Sequence, residues 1–242
     1  MIRTIIIAVF LSIYTLILGP PLIILTLITR SSTLMYWVGV KGLLFITRVM
    51  GMRVQVEGVE NIPSGVCVFA ANHTSNADAP AIVGAIPRRL AIFGRKSLFD
   101  IPIIGLAFRL AHFVPVDRSN RDAALAAVKQ AVEYIRTGSS FLVYPEGTRS
   151  PDGHLQRFKK GAFVMAIEAG VPIVPVACSG AHRVMQKNSL SIKPGKVMVR
   201  FAPPVNAAEY TIDQRDELAR RVHDAIAEVL PEDQKPVPVA VA

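Results

Sequence analysis

The sequence predicts an α/β protein: a body of alternating strands and helices that carries an N-terminal membrane-associated helical segment. Three observations support this expectation. Apolar residues make up 51% of the 242 residues, and their excess lies before residue 50. From about Arg53 onward, short apolar runs alternate with turns and amphipathic stretches, the pattern of an α/β domain. The length suits one domain of ordinary size plus an appendage. The expected division is 1–50 for membrane-anchoring helices, 51–230 for the α/β domain and 231–242 for a disordered tail rich in Pro, Val and Ala.

The segment from Thr4 to Thr29 has no formal charge, and its 26 residues exceed the roughly 20 that cross a hydrocarbon layer. It is longer than a signal-peptide core and no clean small-x-small site follows, so it is read as retained. Gly19-Pro20-Pro21 interrupts it, and two consecutive prolines remove backbone donors, predicting a kink or break. Spanning the bilayer and dipping into one leaflet are both compatible with this pattern. Leu34 to Met50 is a second mostly apolar helix edged by Lys41 and Arg48, which suits an interfacial helix or a helix packed on the body. Arg3, Arg30, Lys41, Arg48 and Arg53 flank both segments on both sides, so the positive-inside rule gives only a weak orientation signal.

In the body, strands are expected at 54–56, 66–71, 91–93, 113–116, 141–144, 171–177 and 196–202. A helix is expected from Ser119 to Thr137, with Ser119 as N-cap, Asp122 at the capping-box position and Gly138 as the stop. Its Leu125, Val128, Val132 and Ile135 form one apolar stripe. Lys159 to Ala169 is a short helix closed by Gly170, and Ile212 to Leu230 is an amphipathic helix capped by Thr211.

Lys and Arg number 27 against 18 Asp and Glu, a formal charge of +9 that favours phospholipid headgroups, phosphorylated substrates or nucleic acid without choosing among them. Cys67 and Cys178 lie inside apolar runs and read as buried thiols. No disulfide framework or metal knuckle is indicated, and a reducing, cytoplasmic setting fits the body.

Chemistry enters at Asn72-His73-Thr74-Ser75-Asn76-Ala77-Asp78, directly after an apolar strand, where α/β sheets place their sites. Asp78 is expected in the first turn of the next helix, with its carboxylate on His73 Nδ1. That contact would fix the tautomer and raise the basicity of Nε2, as a general base for a hydroxyl requires. The same spacing also suits a histidine in a loop and an aspartate capping a helix. Two ligands without a third do not make a metal site. Tyr144-Pro145-Glu146-Gly147-Thr148-Arg149-Ser150 again follows a strand. Gly147 permits close backbone approach and Arg149 offers a planar fork for phosphate, while a plain tight turn with a solvated arginine fits equally.

Together these residues resemble the bacterial 1-acylglycerol-3-phosphate acyltransferase family, within the wider glycerolipid acyltransferase superfamily. Asn72, His73 and Asp78 match the family's Asn-His-x4-Asp block, and Pro145 to Ser150 match its Phe-Pro-Glu-Gly-Thr-Arg-Ser block, with Tyr144 in place of the phenylalanine. His112-Phe113-Val114-Pro115-Val116-Asp117-Arg118 resembles the second block and Val171-Pro172-Ile173-Val174-Pro175-Val176 the fourth. Arg95-Lys96-Ser97-Leu98 resembles a further basic element. The resemblance covers roughly residues 50 to 205.

The resemblance implies a glycerol-3-phosphate acyltransferase-like fold, a mixed central β-sheet flanked by helices. It implies transfer of a fatty acyl group from acyl-CoA or acyl carrier protein to the sn-2 hydroxyl of lysophosphatidic acid, giving phosphatidic acid. His73 would be the general base and Asp78 its partner, with Glu146 grouped with them in catalysis. Arg149, Lys96 and Arg118 would hold the acceptor phosphate, and Asn72, Gly147 and Thr148 would support the loops. Attack would be direct, without an acyl-enzyme, in keeping with the lack of a Gly-x-Ser-x-Gly elbow in the sequence. Residues 171–176 would serve as acyl or carrier contact, or simply as a core strand. No cofactor beyond the thioester co-substrate, no metal and no nucleic-acid partner is expected, and oligomeric state is left open. The expected location is the cytoplasmic (inner) membrane, with the catalytic domain facing the cytoplasm. Two other functions compete: acylation of another lysolipid, such as a lyso-ornithine lipid, and a catalytically idle lipid-binding protein. The presence together of histidine, aspartate, glutamate and arginine argues against the idle one.

Overall fold

The computed structural model describes residues 1–117 and 120–237. Two helices, α1 (Ile2–Thr29) and α2 (Thr33–Met50), lead into a body that runs β1 (Met52–Glu57), β2 (Val68–Ala71), α3 (Asp78–Ala85), β3 (Leu90–Arg95), α4 (Pro102–Leu110), β4 (Val114–Val116), α5 (Arg121–Arg136), β5 (Ser140–Val143), α6 (Gly161–Ala169), β6 (Ile173–Ser179), α7 (Ala181–Val184), β7 (Gly195–Phe201) and α8 (Arg215–Val229). The seven strands form one sheet in the order β1-β7-β6-β2-β5-β3-β4. Every neighbouring pair is parallel except β6 with β7, so the sheet is mixed, as expected.

The strand alternation sorts two cores. Cys67, Phe69 and Ala71 of the β2 run face a cluster that includes Tyr36, Val40 and Ile46 of α2 and Ile82 of α3. Val68 and Ala70 face the other cluster, with Ala131 and Ile135 of α5, Phe163 of α6 and Leu218, Val222 and Ile226 of α8. β2 and β5 are covered on both faces and buried at every position, and they are apolar but for Ser140, whose hydroxyl oxygen accepts the Cys67 N–H at 3.3 Å. The same reasoning assigns the 171–176 run: Ile173 to Val176 lie in the fully buried part of β6, so this block is a core strand.

Three expectations change. The α5 helix begins at Arg121, not Ser119, and its cap is Asn120, whose side chain accepts from the Ala123 N–H at 3.0 Å; Ser119 lies outside the described residues. The expected break at Pro20-Pro21 is absent, because α1 runs unbroken through both prolines. They remove two helical donors only, and contacts hold the axis on either side: Tyr14 Oη donates to the Val38 carbonyl at 2.8 Å, and Ile23 and Thr26 are buried. The first residues of the expected tail are ordered. Residues Glu232–Gln234 form a 3-10 turn, Gln234 is 1% exposed, and its carbonyl accepts from the Leu155 N–H at 2.9 Å.

The structure separates the roles of the first two helices. Both are long and apolar enough to cross a bilayer by length and composition. However, α2 buries Met35, Tyr36, Val40, Ile46 and Met50 and so packs on the body, the second of the two settings open to it. Helix α1 touches the body along one side, through Gly19 against Ile103 of α4, and leaves Ile5, Ile6, Val9, Ile13, Leu16, Ile17, Ile24 and Ile28 exposed. Such a face suits lipid, and the apolar N-terminal helices are compatible with membrane association.

Candidate active site

Parallel pairing places the chemistry at one edge. β2 pairs with β5 so that Ala70 lies opposite Val143, and β3 runs parallel on the far side of β5. The loops that leave these strands therefore emerge side by side, although their sequence blocks are far apart. Asn72 anchors the first loop: its Nδ2 donates to the Cys178 carbonyl at 3.0 Å and its Oδ1 accepts the Cys178 N–H at 2.7 Å, extending the pairing with β6 by a side chain.

His73 and Asp78 meet as the spacing predicts, with Nδ1 2.9 Å from Oδ2. The side chain of His73 is 17% exposed, whereas that of Asp78 is fully buried at the first position of α3. Donors converge on both aspartate oxygens. Oδ2 accepts the N–H groups of Thr74 at 2.7 Å and Ser75 at 2.8 Å, and Oδ1 accepts the Thr74 hydroxyl at 3.3 Å. The Cys178 thiol, which burial and Asp78 keep protonated, donates to Oδ1 at 3.7 Å. A buried carboxylate is tolerable only when so satisfied, and its orientation is then fixed. With the proton of the imidazole on Nδ1, Nε2 is left as the acceptor.

The second loop clasps the first. Ser150 donates its N–H to the His73 carbonyl at 2.7 Å, and Glu146 Oε1 accepts the His73 N–H at 2.8 Å. Glu146 thus holds the backbone of the histidine. It is 3% exposed, and Oε2 is buried without a well-formed hydrogen bond among the described residues. Burial pushes its pKa up to about 8; the His73 N–H opposes this and the nearby Asp78 reinforces it. Gly147 closes the turn at φ +75°, where a side chain would be strained, and donates to the Tyr144 carbonyl at 3.0 Å.

Tyr144 contributes what its sequence position did not announce. Its ring stacks on the His73 imidazole, with centroids 4.1 Å apart and planes 24° from parallel. Its hydroxyl is buried with no partner among the described residues, and burial raises its pKa well above the ordinary value.

Of the other expected site residues, Arg149 is half-buried on the same turn and Thr148 is exposed. Lys96 starts a 3-10 turn at the end of β3, at the same sheet edge, and lies 4.0 Å from Asp117. Arg118 lies outside the described residues. Three contacts of the site escaped the sequence: Cys178 on Asp78, the Ser75 hydroxyl, which donates to the Met185 carbonyl at 2.6 Å, and Lys187, whose Nζ donates to the Arg149 carbonyl at 2.6 Å. Among the described residues no cluster of three or more His, Cys, Asp or Glu could hold a metal ion.

The chain is similar to known proteins. The Acyltransferase family profile matches residues 53–179, which include both loops. The 1-acyl-sn-glycerol-3-phosphate acyltransferase of Limnanthes douglasii is 33% identical over 190 residues, 78% of this chain and 67% of that protein. The enzyme of the same name from Salmonella typhimurium is 35% identical over 174 residues, covering 72% of this chain and 70% of its own length. The chain spans about two thirds of the length of the Limnanthes relatives it matches. The crystal structure of the 1-acyl-sn-glycerophosphate (LPA) acyltransferase PlsC from Thermotoga maritima superposes with a TM-score of 0.79 at 28% identity, over 93% of this chain and 92% of that one. With the profile matched over more than half of the chain and relatives above 30% identity aligned over two thirds or more of their length, the chain belongs to the acyltransferase family, among the 1-acyl-sn-glycerol-3-phosphate acyltransferases.

Proposed function

We propose that the protein transfers a fatty acyl group from acyl-CoA or acyl carrier protein to the sn-2 hydroxyl of 1-acyl-sn-glycerol 3-phosphate, giving phosphatidic acid. The observation that carries this reading is the joining of the His73–Asp78 pair, its aspartate buried and enclosed by donors, to the Arg149 turn by the 2.7 Å bond from Ser150 to His73. A base and a cation suited to phosphate then sit on one rigid edge.

In this mechanism His73 Nε2 takes the proton of the acceptor hydroxyl as its oxygen attacks the thioester carbonyl. Asp78 steadies the imidazolium that forms. The tetrahedral intermediate collapses by breaking the carbon–sulfur bond, and the imidazolium returns the proton to the departing thiolate. The products are an ester and a free thiol. Glu146 acts by position, holding the His73 backbone, and not as a second acid or base. Arg149, Lys96 and Arg118 hold the acceptor phosphate.

The exposed apolar face of α1 supports a site held at the surface of the cytoplasmic membrane, because acceptor and product are both lipids. The free, buried Cys67 and Cys178 fit a body on the reducing side. The test is an assay of purified protein against a panel of lysophospholipids with both thioester donors. Efficient acylation of a lysolipid without a phosphomonoester, and none of 1-acyl-sn-glycerol 3-phosphate, would overturn the proposal.

A further inference from the structure

Two lysines outside the expected phosphate set flank the second loop. The Lys159 side chain lies over Gly147, so close that a β-carbon there would sit 2.9 Å from Nζ and 2.8 Å from Cε. Its backbone N–H is fixed on the Pro145 carbonyl at 2.7 Å. On the other side, Lys187 places Nζ 2.6 Å from the Arg149 carbonyl, which leaves an ammonium group with two further donors. The segment that carries Lys187 is pinned to the first loop by the bond from Ser75 to Met185.

The charges nearby sharpen the observation. Lys160 pairs with Asp216 and Arg183 with Asp233, but among the described residues Lys159, Lys187 and Arg149 make no ion pair. Asp152, an acid three residues beyond the turn, is engaged by the Ser150 hydroxyl at 2.8 Å and the His154 N–H at 3.1 Å. Glu146 adds little negative charge near neutral pH, since its buried carboxyl titrates at about 8. Three cations with no carboxylate partner among the described residues, Arg149 on this four-residue turn and Lys159 and Lys187 flanking it, call for an anion.

We infer that Lys159 and Lys187 complete the anion site around the Glu146–Arg149 turn and recognise the phosphate of the acceptor lipid. Chemistry selects this phosphate over those of the acyl carrier. The acceptor's phosphate ester is on the carbon next to the reacting hydroxyl, so it must bind beside the base, and this turn is hydrogen-bonded to His73. A carrier's phosphates lie a whole pantetheine arm from the thioester.

The inference rests on the proposed acyl transfer, but it is tested by binding alone, so absence of turnover would sink that reading and leave this test standing. Calorimetry on the full-length protein in detergent would compare 1-oleoyl-sn-glycerol 3-phosphate, 1-oleoylglycerol and oleoyl-CoA as ligands. Lys159→Met keeps the aliphatic stem over Gly147, and it and Lys187→Met should each weaken the phosphate lipid roughly 10-fold. Affinities for the other two ligands should stay within about twofold. Lys159→Arg and Lys187→Arg, which keep the charge, should keep most of the affinity. The inference is overturned by unchanged affinity for the phosphate lipid in the Met variants, by an equal loss for 1-oleoylglycerol, or by a larger loss for oleoyl-CoA. It is equally overturned if the Arg variants lose affinity as fully as the Met variants.

Discussion

Glu146 Oε1 accepts the backbone N–H of His73 at 2.8 Å, so the acid of the second loop braces the base of the first. The geometry makes this carboxyl a strut for the imidazole. Its burial has a thermodynamic signature. The folded-state pKa of about 8 stands above the ordinary carboxylate value of 4.5, so the native state holds a proton that the unfolded chain releases. That contribution is complete below the unfolded pKa and is lost as pH rises through the folded one. Stability should therefore fall between about pH 4.5 and 8, by at most about 1.4 kcal/mol per pH step, and level off above. Glu146→Gln mimics the protonated acid and should flatten that slope in thermal melts across pH 5 to about 8.5. A slope identical to wild type would show that Glu146 is ionised in the fold.

His73→Ala and Asp78→Asn should each cost at least about 10² to 10⁴ in turnover, the range for a positioned general base. The two differ in stability. Asp78 is enclosed by the donors of Thr74, Ser75 and Cys178, so the amide of Asp78→Asn turns a donor toward donors and should lower the melting temperature. His73→Ala removes a partly exposed ring and should melt close to wild type. Near-normal turnover in a folded His73→Ala protein would refute the mechanism.

Tyr144→Phe deletes a buried hydroxyl that has no partner among the described residues and keeps the ring on His73. It should stabilise the protein by about 1 kcal/mol and preserve turnover. Tyr144→Leu loses the stack and should lower kcat with little change in acceptor KM. Equal turnover in the Phe and Leu variants would show that the stacked ring does not orient the base.

The sequence made the fold legible where local pattern was sufficient. All seven strands appear as short apolar runs, and Asp78 five positions after His73 announced their contact. What remained hidden depended on tertiary contacts. The pairing of Ala70 with Val143 puts the two loops side by side, and strand register is not a property of either segment alone. Cys178 reaches Asp78 from β6, about a hundred residues on, and looks in sequence like any buried thiol. Gln234 is polar in a Pro-flanked tail and gave no hint that it would fill a buried position beneath Gly180 and Leu155. Helix α4 was not foreseen, because its nine residues are too few to show a clear period.

The seat of α1 yields a test of how the anchor serves the site. Gly19 lies against Ile103 of α4, and a β-carbon there would come 2.5 Å from Ile103 Cγ2. Cγ2 is a methyl on the branched carbon of a stiff side chain, so the clash cannot be relieved by swinging a flexible end. Gly19→Leu should therefore push α1 off α4 while adding to the apolar character of the helix. Membrane attachment in high salt should be retained, because the exposed Ile and Leu face is untouched. Overpacking at a helix contact costs about 1 to 3 kcal/mol, which should appear as a lower melting temperature in detergent. If α1 orients the body on the bilayer, acylation of acceptor in vesicles should fall further than acylation in detergent micelles. Deleting Met1 to Arg30 should show the same imbalance with release from vesicles, since the whole apolar face is gone. Equal losses on vesicles and micelles for Gly19→Leu would mean that α1 supports the body's fold and does not set its orientation.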